Sequence, residues 1–282
     1  MDYWFLLGVA GFFGLALGSL LNVLISRIPL MASRKLRVEA YDLLSIEPSV
    51  PSPLNLFFPR SHCPSCQTQI RIANLIPVVS WLALRGKCAD CQQPISIRYP
   101  FVELATFLLV VLVVALNGIS LEAGLLIGGI AILIVLSMID WEQGTLPNEL
   151  TYPLLFLGLL ASVLIPSSRF VAPIGSAVIG AIAGYLSFWL LNHAFRLIRG
   201  RDAMGEGDFK LHSAIGAWVG WQLLPYVVVM AFALGMLYGV SELLRGRYSR
   251  DEGIRFGPFL AIAAIIVILL HEQLYNLIFL RF

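Results

Sequence analysis

Apolar runs of about 18 or more residues recur along the chain, each long enough to cross the roughly 30 Å hydrocarbon core of a bilayer. Their limits predict eight spans, at about 3–27, 100–116, 119–140, 149–165, 171–197, 208–221, 224–244 and 256–278. The sixth is short and interrupted by Gly and Trp. Pro147, Pro153, Pro166, Pro173 and Pro225 are expected in turns or first helical turns, where a residue without an N–H costs least. The fold expected is an all-α polytopic membrane protein of about eight transmembrane helices. The first segment, Asp2 to Ile28, lacks a basic start and a small-residue cleavage site, and its apolar stretch is long for a signal peptide. It reads as a retained helix. No internal repeat or low-complexity tract stands out.

Composition agrees with that class. Of the 282 residues, 59% are hydrophobic and 13% charged, against roughly 25% charged in soluble domains, and the mean hydropathy is +0.85. A net charge of +2 is too small to suggest a nucleic-acid partner; the partner implied is the lipid bilayer. The placement of charge is more informative. All but Arg169 and Arg281 of the 19 Lys and Arg residues fall in three segments, Arg27 to Arg98, Arg196 to Lys210 and Arg245 to Arg255. Eight alternating spans put all three on one side, which the positive-inside rule assigns to the cytoplasm. Both termini are then outside.

The one block that reads as soluble runs from Pro29 to Tyr99, between the first two spans. Its stretch from Ile46 to Pro59, rich in Ser and Pro, reads as irregular. The rest carries all four cysteines, as Cys63-Pro-Ser-Cys66 and Cys88-Ala-Asp-Cys91, with 21 residues between the two pairs. Two such knuckles can complete a tetrahedral four-cysteine zinc site, although the separation lies just beyond the usual window. Disulfides are the competing reading, disfavoured if the loop faces a reducing compartment. A closed four-thiolate site has no open coordination position, so the zinc would staple a loop too small to build its own core.

Two carboxylates stand out. Asp140 ends the apolar run that begins at Ile130, where burial costs about 2.5–3.5 kcal/mol at mid-bilayer and less near an interface. Asp208 lies in Gly205-Glu206-Gly207-Asp208-Phe209-Lys210, where the chain re-enters the membrane. The predicted topology puts both at the same ends of their spans, able to face one another. Two carboxylates a few ångströms apart cannot both ionise cheaply, so one serves as acid and the other as base on a shared water. Glycine at 205 and 207 would let an extended substrate approach. The alternative is two solvated helix ends, the reading given first to Glu142, Glu149 and Glu206.

These residues belong to a larger pattern. The blocks are Gly14-Leu-Ala-Leu-Gly18-Ser19-Leu-Leu-Asn22 running on to Arg27-Ile-Pro29; Pro59-Arg-Ser-His-Cys63-Pro-Ser-Cys66; Asn74-Leu-Ile-Pro77 through Ser80-Trp81 to Arg85-Gly86-Lys-Cys88; Ile97-Arg98-Tyr99-Pro100-Phe-Val-Glu103; Asp140 with Leu146-Pro147-Asn148; Gly-x-Gly-Asp208-x-Lys210; and Gly257-Pro258-Phe259. In this order they resemble bacterial type IV prepilin peptidases, the bifunctional leader peptidase/N-methyltransferases, over nearly the whole chain.

The resemblance implies a GxGD-type membrane aspartyl protease of the cell inner membrane with Asp140 and Asp208 as catalytic residues at the cytoplasmic face. It implies substrates that are type IV prepilins or the pseudopilins of type II secretion, cleaved after a glycine between a basic leader and an apolar helix. It implies Cys63, Cys66, Cys88 and Cys91 as zinc ligands. It also implies a second activity, methylation of the new N-terminus with S-adenosyl-L-methionine. The organisation expected is a first helix (1–28), a cytoplasmic zinc-binding loop of four cysteines linked to methyl transfer (29–99) and a transmembrane protease core (100–282).

Glu206 between the two glycines departs from the common pattern and bears on the pH optimum. No Gly-x-Gly-x-x-Gly turn follows a strand, so a soluble Rossmann-type cofactor site is unsupported. Ser19, Asn22, Arg98 and Glu103 are polar residues available to a cofactor. The reading preferred is helix packing for Ser19 and Asn22, along a small-residue face with Gly14 and Gly18, and pairing of Glu103 with Arg98 or Arg27. Two rivals stand beside the main reading: a leader peptidase without methyltransferase activity, which the cysteines oppose, and a transporter or scaffold whose intramembrane acids carry ions. Transporters favour repeats and broken mid-membrane helices, whereas these acids lie at helix ends.

Overall fold

The structure is a computed structural model that describes residues 3–44, 54–246 and 255–279. The chain folds as two units, Met1–Ala123 and Gly124–Phe282.

The first unit is built on α1 (Tyr3–Leu43) and α3 (Arg98–Asn117), with a single 3-10 turn and α2 (Val79–Ala83) in the loop between them. The two long helices meet along glycines of α1. A Cβ on Gly14 would stand 2.9 Å from the Cα of Phe107, and one on Gly18 would stand 2.6 Å from the Cα of Glu103. Without side chains there, backbone packs on backbone, the means by which membrane helices associate where lipid supplies no hydrophobic drive. The expected end of the first helix at Ile28 is not observed. Pro29 is buried inside α1, which continues to Leu43. Residues 31–40 are rich in good helix formers, which offset the single hydrogen bond that proline removes. At about 1.5 Å per residue, the 41 residues of α1 extend some 60 Å, twice the hydrocarbon core. Its second half, with Arg34, Lys35, Arg37, Glu39 and Asp42, is largely exposed. Of the stretch from Ile46 to Pro59, residues 46–53 lie outside those described.

The second unit contains α4 (Leu121–Gln143, starting three residues before the boundary), α5 (Asn148–Leu164), α6 (Ile174–Arg199), α7 (Glu206–Leu244), α8 (Gly257–Leu269) and α9 (His271–Phe279). Pro147 and Pro173 precede α5 and α6 as expected, whereas Pro153 and Pro225 lie inside helices.

Although it runs without a gap from Glu206 to Leu244, α7 is two helices. Gly220 sits at φ +74° and ψ 168°, a conformation open to glycine and strained for other residues. Two contacts show that the chain reverses there. Asp208, in the first turn, lies close enough to Asp140 for their charges to interact. Tyr238, 30 residues later, packs on Trp141 with ring centroids 5.2 Å apart. A straight helix would separate Asp208 and Tyr238 by about 45 Å. The break frees the Trp218 carbonyl, which accepts the Ala172 N–H at 2.9 Å. Trp218 is fully buried, with its Nε1 donating to the Leu154 carbonyl at 3.0 Å. Its indole fills a slot that a Cβ on Gly129 or Gly158 would enter, at 2.5 and 2.7 Å. That slot locks α4, α5 and the first half of α7 together.

The eight predicted apolar segments coincide with α1, α3, α4, α5, α6, the two halves of α7, and α8 with α9. Among the described residues, five whole helices are long and apolar enough to cross a bilayer, or six if α8 and α9, bent by 78°, form one span. Within the second unit, the basic residues at the end of α6, the start of α7 and the start of α8 all lie at the Asp140 end, while Arg169 lies at the Gly220 end.

Candidate active site and cysteine cluster

Asp140 is three residues from the end of α4 and only 6% exposed. Its carboxylate meets the N-terminus of α8. The Gly257 N–H points to it, and a Cβ on Gly257 would come within 2.6 Å of Oδ2. An unpaired N–H at a positive helix end is a natural partner for a carboxylate. Arg255 adds charge to the same place. Its guanidinium donates to the Asp140 carbonyl at 3.3 Å and to the Trp141 carbonyl, and its charge acts on the Asp140 carboxylate.

Asp208 is the third residue of α7 and half-buried. Its carboxylate reaches back to the N–H of Gly205, the residue that caps the helix. That is one half of a capping box. Gly207 serves packing here: a Cβ on it would stand 2.8 Å from that of Leu146. Lys210 Nζ donates to Asn148 Oδ1 at 3.0 Å, tying the start of α7 to the start of α5. Leu146-Pro147-Asn148 and Gly-x-Gly-Asp208-x-Lys210, about 60 residues apart in the chain, thus meet at one end of the bundle. Glu142, Glu149 and Glu206 are exposed, as solvated helix ends would be. Arg255 is a site residue that sequence reasoning did not single out, and Gly257 stood out only within the Gly257-Pro258-Phe259 block, a helix-start signature, with no place assigned beside Asp140.

The four cysteines gather in the first unit. Their Sγ atoms all lie within 4.8 Å of one another, with Cys63 and Cys91 at 3.8 Å, and none forms a disulfide. Four sulfurs about 2.3 Å from one tetrahedral ion would be about 3.8 Å apart, so the cluster fits zinc. The knuckles share a backbone geometry as well as a spacing. The Cys63 N–H donates to the Thr68 carbonyl and the Cys88 N–H to that of Gln93, while Gln67 and Gln92 both adopt φ +59°. Backbone N–H groups of Cys66 and Ser65 pull the Cys63 thiol down to about 6, toward the thiolate that metal binding requires. At Cys91 the Gln93 N–H pulls the same way, but desolvation and the neighbouring thiols outweigh it and push the group up to about 12.

Of the other polar residues, Asn22 and Ser19 sit on the packed face of α1, and Asn22 Nδ2 donates to the Tyr99 carbonyl at 3.1 Å. Glu103 accepts the Val78 N–H at 2.7 Å and faces the Ser19 hydroxyl. Arg27 donates to the carbonyls of Asn55 and Pro59 and Arg98 to Ser26 Oγ, so the partners found for Glu103 are a backbone N–H and a hydroxyl where an arginine was expected.

Residues 12–116 match the Bacterial Peptidase A24 N-terminal domain, and residues 127–240 match the Type IV leader peptidase family. The chain belongs to the type IV leader peptidase family. Each match falls almost wholly within one of the two structural units. Among its relatives, the prepilin leader peptidase/N-methyltransferase of Aeromonas salmonicida (strain A449) is 43% identical over 272 residues, covering 94% of this chain and 91% of the relative. That of Pseudomonas putida is 39% identical over 275 residues, covering 98% and 94%. No solved structure matches the chain. With its apolar helices, this family member is an integral membrane protein.

Proposed function

We propose that this enzyme removes the leader peptide of type IV prepilins or pseudopilins with Asp140 and Asp208, then methylates the new N-terminus. The observation that carries the first part is that two carboxylates 68 residues apart, on α4 and α7, come to one end of the bundle close enough for their charges to interact. The name borne by relatives about 40% identical over nearly the full chain supports both parts.

Asp140, beside the Arg255 guanidinium and the Gly257 N–H, is the better seat for negative charge and takes the role of base. Asp208 takes the role of acid. Asp140 removes a proton from a water whose oxygen attacks the scissile carbonyl carbon, while Asp208 protonates the carbonyl oxygen. As the tetrahedral species collapses, the proton held by Asp140 passes to the departing nitrogen, the C–N bond breaks, and a hydroxyl proton returns to Asp208 as the carbonyl re-forms. The clustering of basic residues at this end of the second unit favours an enzyme of the inner membrane, with eight crossings and the aspartates at the cytoplasmic boundary. A prepilin in the bilayer, with its leader in the cytoplasm, would present its scissile bond at that depth.

Cys63, Cys66, Cys88 and Cys91 would hold a zinc ion that ties the loop together. S-adenosyl-L-methionine, when bound, would supply an electrophilic methyl group for the new α-amine. The test is co-expression of the Asp140→Asn and Asp208→Asn forms with a prepilin, with mass spectrometry of the product's N-terminus. Each is expected to leave the leader attached; leader removal by either variant at the wild-type rate would sink the aspartate mechanism.

A further inference from the structure

The seam between α1 and α3 holds polar groups that neither the aspartate pair nor the cysteine cluster uses. Glu103 is 7% exposed, and its carboxylate is met by two donors, the Val78 N–H at 2.7 Å and the Ser19 hydroxyl. A carboxylate has about four acceptor sites, so this one is about half supplied. Asn22, three residues beyond Ser19 on α1, is 4% exposed. Its Nδ2 donates to the carbonyls of Gly18 and Tyr99, at 3.3 and 3.1 Å, while its Oδ1 has no partner. Tyr99 and Glu103 are one turn apart on α3, so both under-supplied acceptors lie on one turn of the same seam. A buried acceptor left without a donor costs about 1–3 kcal/mol, and folded proteins keep few of them.

A second observation falls at the same place. Val78, whose N–H Glu103 holds, sits at φ +60° and ψ −51°. A β-branched residue in that region is strained by roughly 1–3 kcal/mol, and such strain clusters where ligands bind. Val78 lies in the segment that joins the two cysteine knuckles. One buried carboxylate therefore anchors the cysteine loop to the membrane helices and retains acceptor capacity.

We propose that Glu103 and the Asn22 Oδ1 form a cation site for the methyl-transfer half of the enzyme, with Glu103 as counter-charge. The proposal rests on the reading that this chain methylates its product. Two cations share the chemistry required: the sulfonium-and-ammonium end of S-adenosylmethionine, and the new α-ammonium of the cleaved substrate. The unused acceptors would take their N–H donors, and the carboxylate would offset the charge in a poorly hydrated place.

The experiment uses full-length protein in lipid nanodiscs and the Glu103→Gln variant, which is nearly isosteric and keeps an oxygen for the Val78 N–H. Three quantities are measured: equilibrium binding of labelled S-adenosylmethionine, the KM of methyl transfer to a peptide with the mature N-terminus, and bound zinc per chain. Loss of about tenfold or more in cofactor affinity with zinc retained supports the site with the cofactor as its cation. Unchanged cofactor affinity with a similarly raised peptide KM supports it with the amine as its cation. Wild-type values for both overturn the proposal. So does loss of zinc, which would make Glu103 an anchor of the loop alone. A wild-type protein that neither binds the cofactor nor transfers methyl would overturn the methyltransferase reading itself, a result distinct from any change confined to the variant.

Discussion

The two units place carboxylates in apolar surroundings in opposite ways. In the first, Glu103 faces no acid among its described contacts; local donors meet it, one of them the N–H of a strained loop residue. In the second, Asp140 and Asp208 come from separate helices and meet each other, each also receiving a backbone N–H at a helix start. A buried acid with neutral donors suits recognition of a cation, whereas two acids sharing one place suit proton transfer on a water. The units also differ in what stabilises them. The second packs its helices around side chains such as Trp218, while the described part of the loop of the first, residues 54–97, has almost no buried side chains beyond Cys63 and Cys88 and depends on its cysteine cluster.

This contrast can be broken by experiment. The largest effect is expected for Asp208→Asn, which should slow leader removal by about 10²–10⁴-fold and leave methyl transfer to an already mature peptide near the wild-type rate. A matching fall in methyl transfer would show that the two chemistries are not separate. Next comes Cys88→Ser. Metal analysis should find zinc lost, because three thiolates bind far less tightly than a closed site of four. Methyl transfer should fall with it, while cleavage by the second unit persists.

A sharper probe of the pair is Gly257→Ala, whose Cβ would press on Asp140 Oδ2 at 2.6 Å. A displacement of about 1 Å at a catalytic group can cost about 10²-fold, so cleavage should drop well below wild type while thermal unfolding in detergent is little changed. Gly18→Ala tests the first unit. Its Cβ would meet the Cα of Glu103 at 2.6 Å, and the overpacking should destabilise the α1–α3 pair by about 1–3 kcal/mol, seen as a lower Tm. The smallest change is expected from Glu206→Lys, at an exposed position. If nearby acids offset the basic loops for a basic leader, cleavage should slow by about threefold at low salt and recover at high salt.

Much of this was legible along the chain. Apolar runs located the helices because bilayer thickness sets their minimum length. The Cys-x-x-Cys spacing located the cluster because each knuckle is a local structure that closes over a few residues. Asp140 and Asp208 were conspicuous because acids beside such runs are costly. Less visible were features that depend on what a segment packs against. Pro29 looked like a helix end, yet α1 continues through it. Glu103 looked like an arginine partner and instead holds a backbone N–H.

The sequence by itself determined the membrane class, the helical segments, the cysteine knuckles and the placing of Asp140 and Asp208 beside apolar runs, since each follows from composition or from spacing within one local element. Only the tertiary structure decided that α7 turns back at Gly220, that Gly257 and Arg255 stand over Asp140, and that Val78 is pinned to Glu103. Those outcomes rest on close approaches between residues far apart in the chain, where a missing Cβ or a single freed carbonyl selects the partner, and no local pattern records that choice.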